Sequence, residues 1–259
     1  MTETVELNAG VKGEGSPLLL MHGLFGAGDT LGGVRRRLAP DYEVHSLDLR
    51  NHGDSPHTGS MSYPEMASDV LAYMDRAGLG QAHLLGHSMG GKTAMELALM
   101  APERVQRLIV ADIAPVAYEP HHDAIHSALE AFDPAVVKSR READGVLSEY
   151  IEEKGVRQFL LTNLVPSDGG FRWRMNVPGI LACYEQIMAG PSTDGVYEGP
   201  TLFIRGGGSD YIQSSHQDAV LHYFPSAELK VIPDVGHWLH AEKPELFGRI
   251  CQRFLAGDA

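Results

Sequence analysis

Short apolar runs along the chain alternate with longer stretches whose apolar residues recur at helical spacing. That alternation predicts an α/β fold with a mostly parallel sheet flanked by helices. Leu18–Met21, Val44–Asp48, His83–Leu85, Leu108–Ala111, Leu202–Arg205 and Leu229–Ile232 read as strands. Tyr63–Ala77 and Met89–Met100 read as helices between them, and Ser214–Phe224 as a further one. Pro244–Leu255 places Leu246, Phe247, Ile250, Phe254 and Leu255 on one helical face. Thr4–Leu7 is expected to add an antiparallel edge strand.

One interval breaks the rhythm. From Ala117 to Glu198 no strand is expected, only helical patterning interrupted at Pro134, Pro166 to Gly170, Pro178 and Pro191. So long an interval between two strands of one sheet is too long for an ordinary loop. The expected organisation is therefore a core of residues 1–116 and 199–259, with residues 117–198 inserted as a helical cap over the C-terminal ends of the strands.

Composition narrows the function. In 259 residues, 34 acidic against 21 basic side chains leave a net charge of −13, which argues against nucleic acid or anionic membrane as the main partner. No run reaches the ~18 uninterrupted apolar residues of a membrane span. The opening Met1-Thr2-Glu3-Thr4-Val5-Glu6 is acidic where a secretory signal is basic and then apolar. Cys183 and Cys251 match no metal or redox spacing and read as reduced thiols, so a cytoplasmic protein is expected. A monomer or small homo-oligomer is equally compatible with these features.

The sharpest chemical signal is Gly86-His87-Ser88-Met89-Gly90-Gly91, between an apolar run and a helical stretch. Gly-x-Ser-x-Gly in that context is the nucleophile elbow, a turn too tight for side chains at the flanking glycines. The bland alternative is a glycine-rich strand–helix turn with an incidental serine. A second segment, His22-Gly23-Leu24-Phe25-Gly26, follows an early strand. It can aim backbone N–H groups at the serine, and the N–H groups of Leu24 and Met89 are the candidate oxyanion donors. A phosphate-binding turn is the alternative there, but no phosphate-loop glycine pattern accompanies it. His22, Gly23, Phe25, His87, Trp173 and Trp238 are candidate substrate contacts.

A serine hydroxyl needs a base, and histidine titrates in the right range. His237, in Val235-Gly236-His237-Trp238, stands after the last strand, where the chain order Ser…Asp…His puts the base. The acid is open between Asp210, which follows the strand after the insert, and Asp112, which follows the strand before it. Position puts Asp210 slightly ahead. His122 and His126 have a spacing compatible with a metal, but no carboxylate pattern completes a site, and a solvated helix face is expected instead. Asp48–Ser55 reads as a structural loop in which Arg50 bonds carboxylate or backbone. No metal and no cofactor is expected.

Together these motifs resemble the α/β-hydrolase superfamily over essentially the whole chain, and more narrowly the YbfF-type esterases. The resemblance is carried by the three segments above and by Asp48-x-Arg50-Asn51-His52-Gly53-x-Ser55, Asp112-Ile113-Ala114-Pro115 and Trp173-Arg174-x-Asn176. It implies a cofactor-free carboxylesterase acting on small activated esters, and sometimes on acyl-CoA thioesters. In that branch the acid matches Asp112, whereas superfamily habit favours Asp210. An acyl-CoA thioesterase is the rival within hydrolases; its polyanionic handle would need local basic residues such as Arg172 and Arg174. The rival of another class is a ligand-binding or signalling protein on a hydrolase scaffold.

Overall fold

The computed structural model describes residues 3–257. Among them, seven strands form one sheet: β1 (Ala9–Lys12), β2 (Ser16–Met21), β3 (Tyr42–Leu47), β4 (Ala82–His87), β5 (Val105–Ala111), β8 (Thr201–Gly206) and β9 (Ala227–Ile232), in the order β1-β3-β2-β4-β5-β8-β9. Only β1 runs antiparallel, against β3. The remaining pairs are parallel.

Both faces of this sheet are covered, which is why Leu18–Met21 and Leu108–Ala111 are continuous apolar runs rather than alternating ones. Side chains still divide by period two. Leu18, Leu20, Leu85, Ile109 and Ala111 pack under α1 (Gly32–Leu38) and α11 (Pro244–Ala256). Leu19, Met21, Leu84, Leu108 and Val110 pack on the other side with α2 (Tyr63–Arg76) and α3 (Met89–Met100). Helix α2 starts where Ser62 and Glu65 form a reciprocal capping box, with Pro64 in the first turn. Helix α11 ends at Gly257, whose left-handed φ of 81° closes the last turn.

Between β5 and β8 the chain leaves the sheet and builds α4 (Asp123–Ala131), α5 (Arg140–Leu147), α6 (Lys154–Leu161), α7 (Val177–Ala182) and α8 (Tyr184–Met188). The expectation of helix alone is corrected here. A small antiparallel hairpin, β6 (Leu164–Ser167) with β7 (Gly170–Trp173), lies in the middle of the insert. A second correction concerns the edge strand. Thr4–Leu7 is not a strand; the antiparallel edge is β1, and the Val5 N–H donates to Asp69 Oδ1 at 2.8 Å.

Helix α3 anchors the insert's return path by two buried polar side chains one turn apart. Lys92 donates to the carbonyls of Met188, at 3.2 Å, and Ala189. Glu96 accepts from the Ser192 N–H at 2.9 Å and from the hydroxyls of Ser192 and Thr193 at 3.0 and 2.6 Å. From the other end, Asn176 reaches the core loop, its N–H donating to the Asn51 carbonyl at 2.8 Å and its amide to Asn51 Oδ1 at 2.9 Å.

Candidate active site

Strand β2 lies between β3 and β4, so the loops leaving β2 and β4 meet where the sheet order reverses, the usual place for a site in an open parallel sheet. The turn after β4 holds Ser88 at φ 54° and ψ −120°, a region that serine enters only under strain. Its N–H is tied to the Ala111 carbonyl at 3.0 Å. The glycines around it are dictated by contact. A Cβ on Gly86 would stand 2.1 Å from the Gly90 carbonyl oxygen, and one on Gly90 2.2 Å from the Met21 carbonyl oxygen. Gly90→Ala is therefore expected to cost several kcal/mol of stability, as overpacking against backbone does; a urea midpoint equal to wild type would contradict this close packing.

Gly23 brings the β2 loop onto the serine. A Cβ there would sit 3.0 Å from His87 Nδ1 and 3.2 Å from Ser88 Cβ. Two buried histidines shape this loop. His52 Nε2 accepts the Phe25 N–H at 3.2 Å while its Nδ1–H donates to the Arg50 carbonyl at 3.0 Å. His22 Nε2 accepts the Leu49 N–H at 3.1 Å, its Nδ1 lying 2.8 Å from the Gly23 carbonyl. Behind them, Arg50 makes a two-point contact with Asp69, at 2.6 and 2.9 Å, and donates to the Ser60 and Glu3 carbonyls. The Arg-Asn-His-Gly segment is thus a brace under the loop.

On the far side of the serine, His237 Nδ1 lies 2.8 Å from Asp112 Oδ2. Asp112 is fully buried at φ 53° and accepts the Gly206 N–H at 2.8 Å on Oδ1 and the Ser209 hydroxyl on Oδ2. Three donors converge on this carboxylate, which keeps one oxygen aimed at the imidazole. Asp210, which position in the chain had put ahead, is exposed; its carbonyl accepts from Gln213 Nε2 at 3.0 Å and its carboxylate makes no contact with His237. His237 is held at its ring and at its backbone. Tyr211 stacks on it at 4.1 Å between centroids, and His87 Nε2 bonds the His237 carbonyl at 2.9 Å.

Ser88, Met89, His237, Gly23, Leu24, Phe25, His87 and Trp238 line one cavity. Its other wall comes from the insert, through His121, His122, Ile125, Val156, Phe159, Leu160, Ile187 and Met188. Two expectations are corrected. Trp173 packs edge-on against Phe132 at 5.4 Å and does not line the cavity. His22 is a buried brace away from the cavity wall. A third correction concerns the insert: His122, read with His126 as a solvated face, is half-buried and lines the cavity beside His121. His122 Nδ1 lies 2.7 Å from the Tyr184 hydroxyl and His121 Nε2 2.6 Å from the Tyr211 hydroxyl. Among the described residues no group of histidine, cysteine or carboxylate side chains is arranged to hold a metal ion. Nor is any described helix long and apolar enough to cross a membrane. Ser209, which donates to Asp112, and Tyr211, which stacks on His237, carry no mark in the sequence, because nothing in Gly206–Tyr211 distinguishes side chains that turn toward β5.

Burial sets the protonation of this region. It holds His52 down to about 3, with the neighbouring His22 ring adding to the effect, and drives His87 well below its ordinary value, helped by His240 and His237. Both imidazoles are neutral in the folded protein, whereas the unfolded chain takes up their protons below about pH 6.5. Stability is therefore complete above that pH and falls as the pH drops toward 3. The loss is on the order of 1.4 kcal/mol per pH unit for each such group. Urea midpoints should decline steeply from pH 7 to pH 5; a constant midpoint would mean these rings are not buried and neutral.

A serine at a strained strand–helix turn, above a mostly parallel sheet, defines the α/β-hydrolase class. The chain belongs to the alpha/beta hydrolase family, whose model matches residues 18–250. It is 41% identical over 247 residues to the sn-1-specific diacylglycerol lipase ABHD11 of Mus musculus, covering 92% of this chain and 80% of that one. To esterase YbfF of Escherichia coli it is 40% identical over 241 residues, 93% of each. A solved marine microorganism esterase superposes with a TM-score of 0.94 at 39% identity, over 97% of this chain and all of that one. The chain is an enzyme, a hydrolase of the esterase and lipase type.

Proposed function

We propose that the enzyme is a serine carboxylesterase for small to medium acyl esters, working through Ser88, His237 and Asp112. The observation that carries this reading is the 2.8 Å contact of His237 with a buried Asp112 beside a cavity that also holds Ser88. His237 Nε2 takes the hydroxyl proton as Ser88 Oγ attacks the ester carbonyl. The oxyanion accepts from the N–H groups of Leu24 and Met89, each worth ~3 kcal/mol of barrier. Collapse breaks the carbonyl–alkoxide bond, and the alcohol leaves with the proton from His237. Water, deprotonated by His237, then attacks the acyl-enzyme, releasing the acid and returning the proton to Ser88. Asp112 fixes the imidazole tautomer and balances its charge. No step calls on a metal or cofactor.

The insert, residues 117–198, serves as the cap. It supplies the apolar wall for the acyl chain and, in His121 and His122, polar groups at the mouth. The test is hydrolysis of p-nitrophenyl acetate, butyrate and octanoate beside butyryl-CoA and a diacylglycerol, the lipid in the mouse relative's name. At least one nitrophenyl ester should be turned over with higher kcat/KM than the thioester. Failure to release nitrophenol from any ester would favour a ligand-binding role, and preference for butyryl-CoA a thioesterase.

A further inference from the structure

Strand β9 ends the sheet, bonded only to β8, and its other edge is free among the described residues. Free edges are usually short, bulged or covered, because they template pairing with another chain. This one is regular over six residues, and Glu228, Leu229, Lys230 and Val231 are exposed. Ile232 packs toward α11 and Ala227 toward the opposite core, so alternation puts Leu229 and Val231 on Ala227's face and Glu228 and Lys230 on the other. Leu229 and Val231 are 53% and 49% exposed. Leu221, on α9 (Gln217–Tyr223), is 44% exposed and lines the same groove as Leu229. Three large exposed apolar residues thus gather on one sheet edge, a pattern that marks an interaction surface.

The order of residues identifies the occupant. We infer that β9 pairs antiparallel with β9 of a second copy, about a two-fold axis through Leu229, to make one continuous sheet. In that register Leu229 faces its own counterpart and Ala227 faces Val231 of the second copy, forming an apolar stripe on one side. On the other side Glu228 meets Lys230 of the second copy, and Lys230 meets its Glu228, so the pairing is isologous and charge-matched. Two molecules of net charge −13 repel in bulk, and only a locally balanced segment brings them together. Among the described residues neither the Glu228 nor the Lys230 side chain makes a hydrogen bond or ion pair, and only their backbones are engaged, with β8, so both charges are available to the second copy.

Sedimentation equilibrium of the wild type, Glu228→Lys, Lys230→Glu and the double exchange tests the arrangement. The wild type should sediment at twice the chain mass. Each single reversal turns two attractive cross-strand pairs into two repulsive ones, and should raise the dimer dissociation constant on the order of tenfold. The double exchange restores both pairs and should return it to near the wild-type value. A wild type that stays monomeric would overturn the inference and leave Lys230 as a charge guarding the edge. So would single reversals that leave dimerisation intact, or a double exchange no better than the singles.

Discussion

Asp112→Asn is expected to lower kcat for p-nitrophenyl butyrate by about 10⁴-fold, while Asp210→Asn stays close to wild type. Asparagine keeps the shape of the buried side chain, and its carbonyl oxygen can still accept the Gly206 N–H that now reaches Asp112 at 2.8 Å. The amide N–H then faces His237 Nδ1 where a carboxylate oxygen stood at 2.8 Å. That contact favours the tautomer carrying its proton on Nε2, which cannot accept the proton of Ser88. No comparable loss arises at Asp210, whose exposed carboxylate does not touch the imidazole. Thermal melts of both variants separate lost chemistry from lost fold. The reverse pattern, with Asp210→Asn inactive and Asp112→Asn active, would contradict the assignment.

Ser88→Ala should reduce turnover further, on the order of 10⁶-fold, since removing the nucleophile disables the whole unit. Its fold should be intact. The strain at φ 54° is a property of the turn, and alanine bears it as serine does. The elbow's packing rests on Gly86, Gly90 and Gly91, which the substitution leaves untouched. A Ser88→Ala protein with wild-type melting and no turnover would tie the reaction to that hydroxyl; one with undiminished turnover would locate the chemistry elsewhere.

The parallel strands were legible because a sheet covered on both faces writes continuous apolar runs. Where that cover is missing, the pattern misleads. Thr4–Leu7 alternates like a strand, yet Leu7 is buried in the core as a loop residue, while the true edge strand carries an exposed Val11. Helix α1 opens with Gly32-Gly33 and continues through three arginines, leaving only Val34 and Leu38 as buried apolar signals. The hairpin in the insert is four residues a side and half-buried, with Pro166 within it. Its available sign was Asp168-Gly169, with Gly169 at φ 82° in the turn.

At the candidate site, Ser88 and His237 stand out from local chain grammar, a tight glycine turn and a histidine after the last strand, and the structure brings both to one cavity. The acid does not stand out. Asp112 and Asp210 both follow strands, and β5 and β8 are neighbours, so both emerge at the same end of the sheet. The choice turns on a left-handed residue at Asp112 and on Ser209 bending toward it, neither of which leaves a mark in residue spacing. Trp173 shows the same limit. An aromatic in the insert was expected at the cavity, but its ring faces Phe132 instead.

The most direct test of the central claim is covalent trapping with a fluorophosphonate, read by intact mass and peptide mapping. The account predicts one adduct per chain, on the peptide containing Ser88, absent from Ser88→Ala and formed more slowly in Asp112→Asn. An adduct that persists in Ser88→Ala, or that maps to another residue, would contradict it.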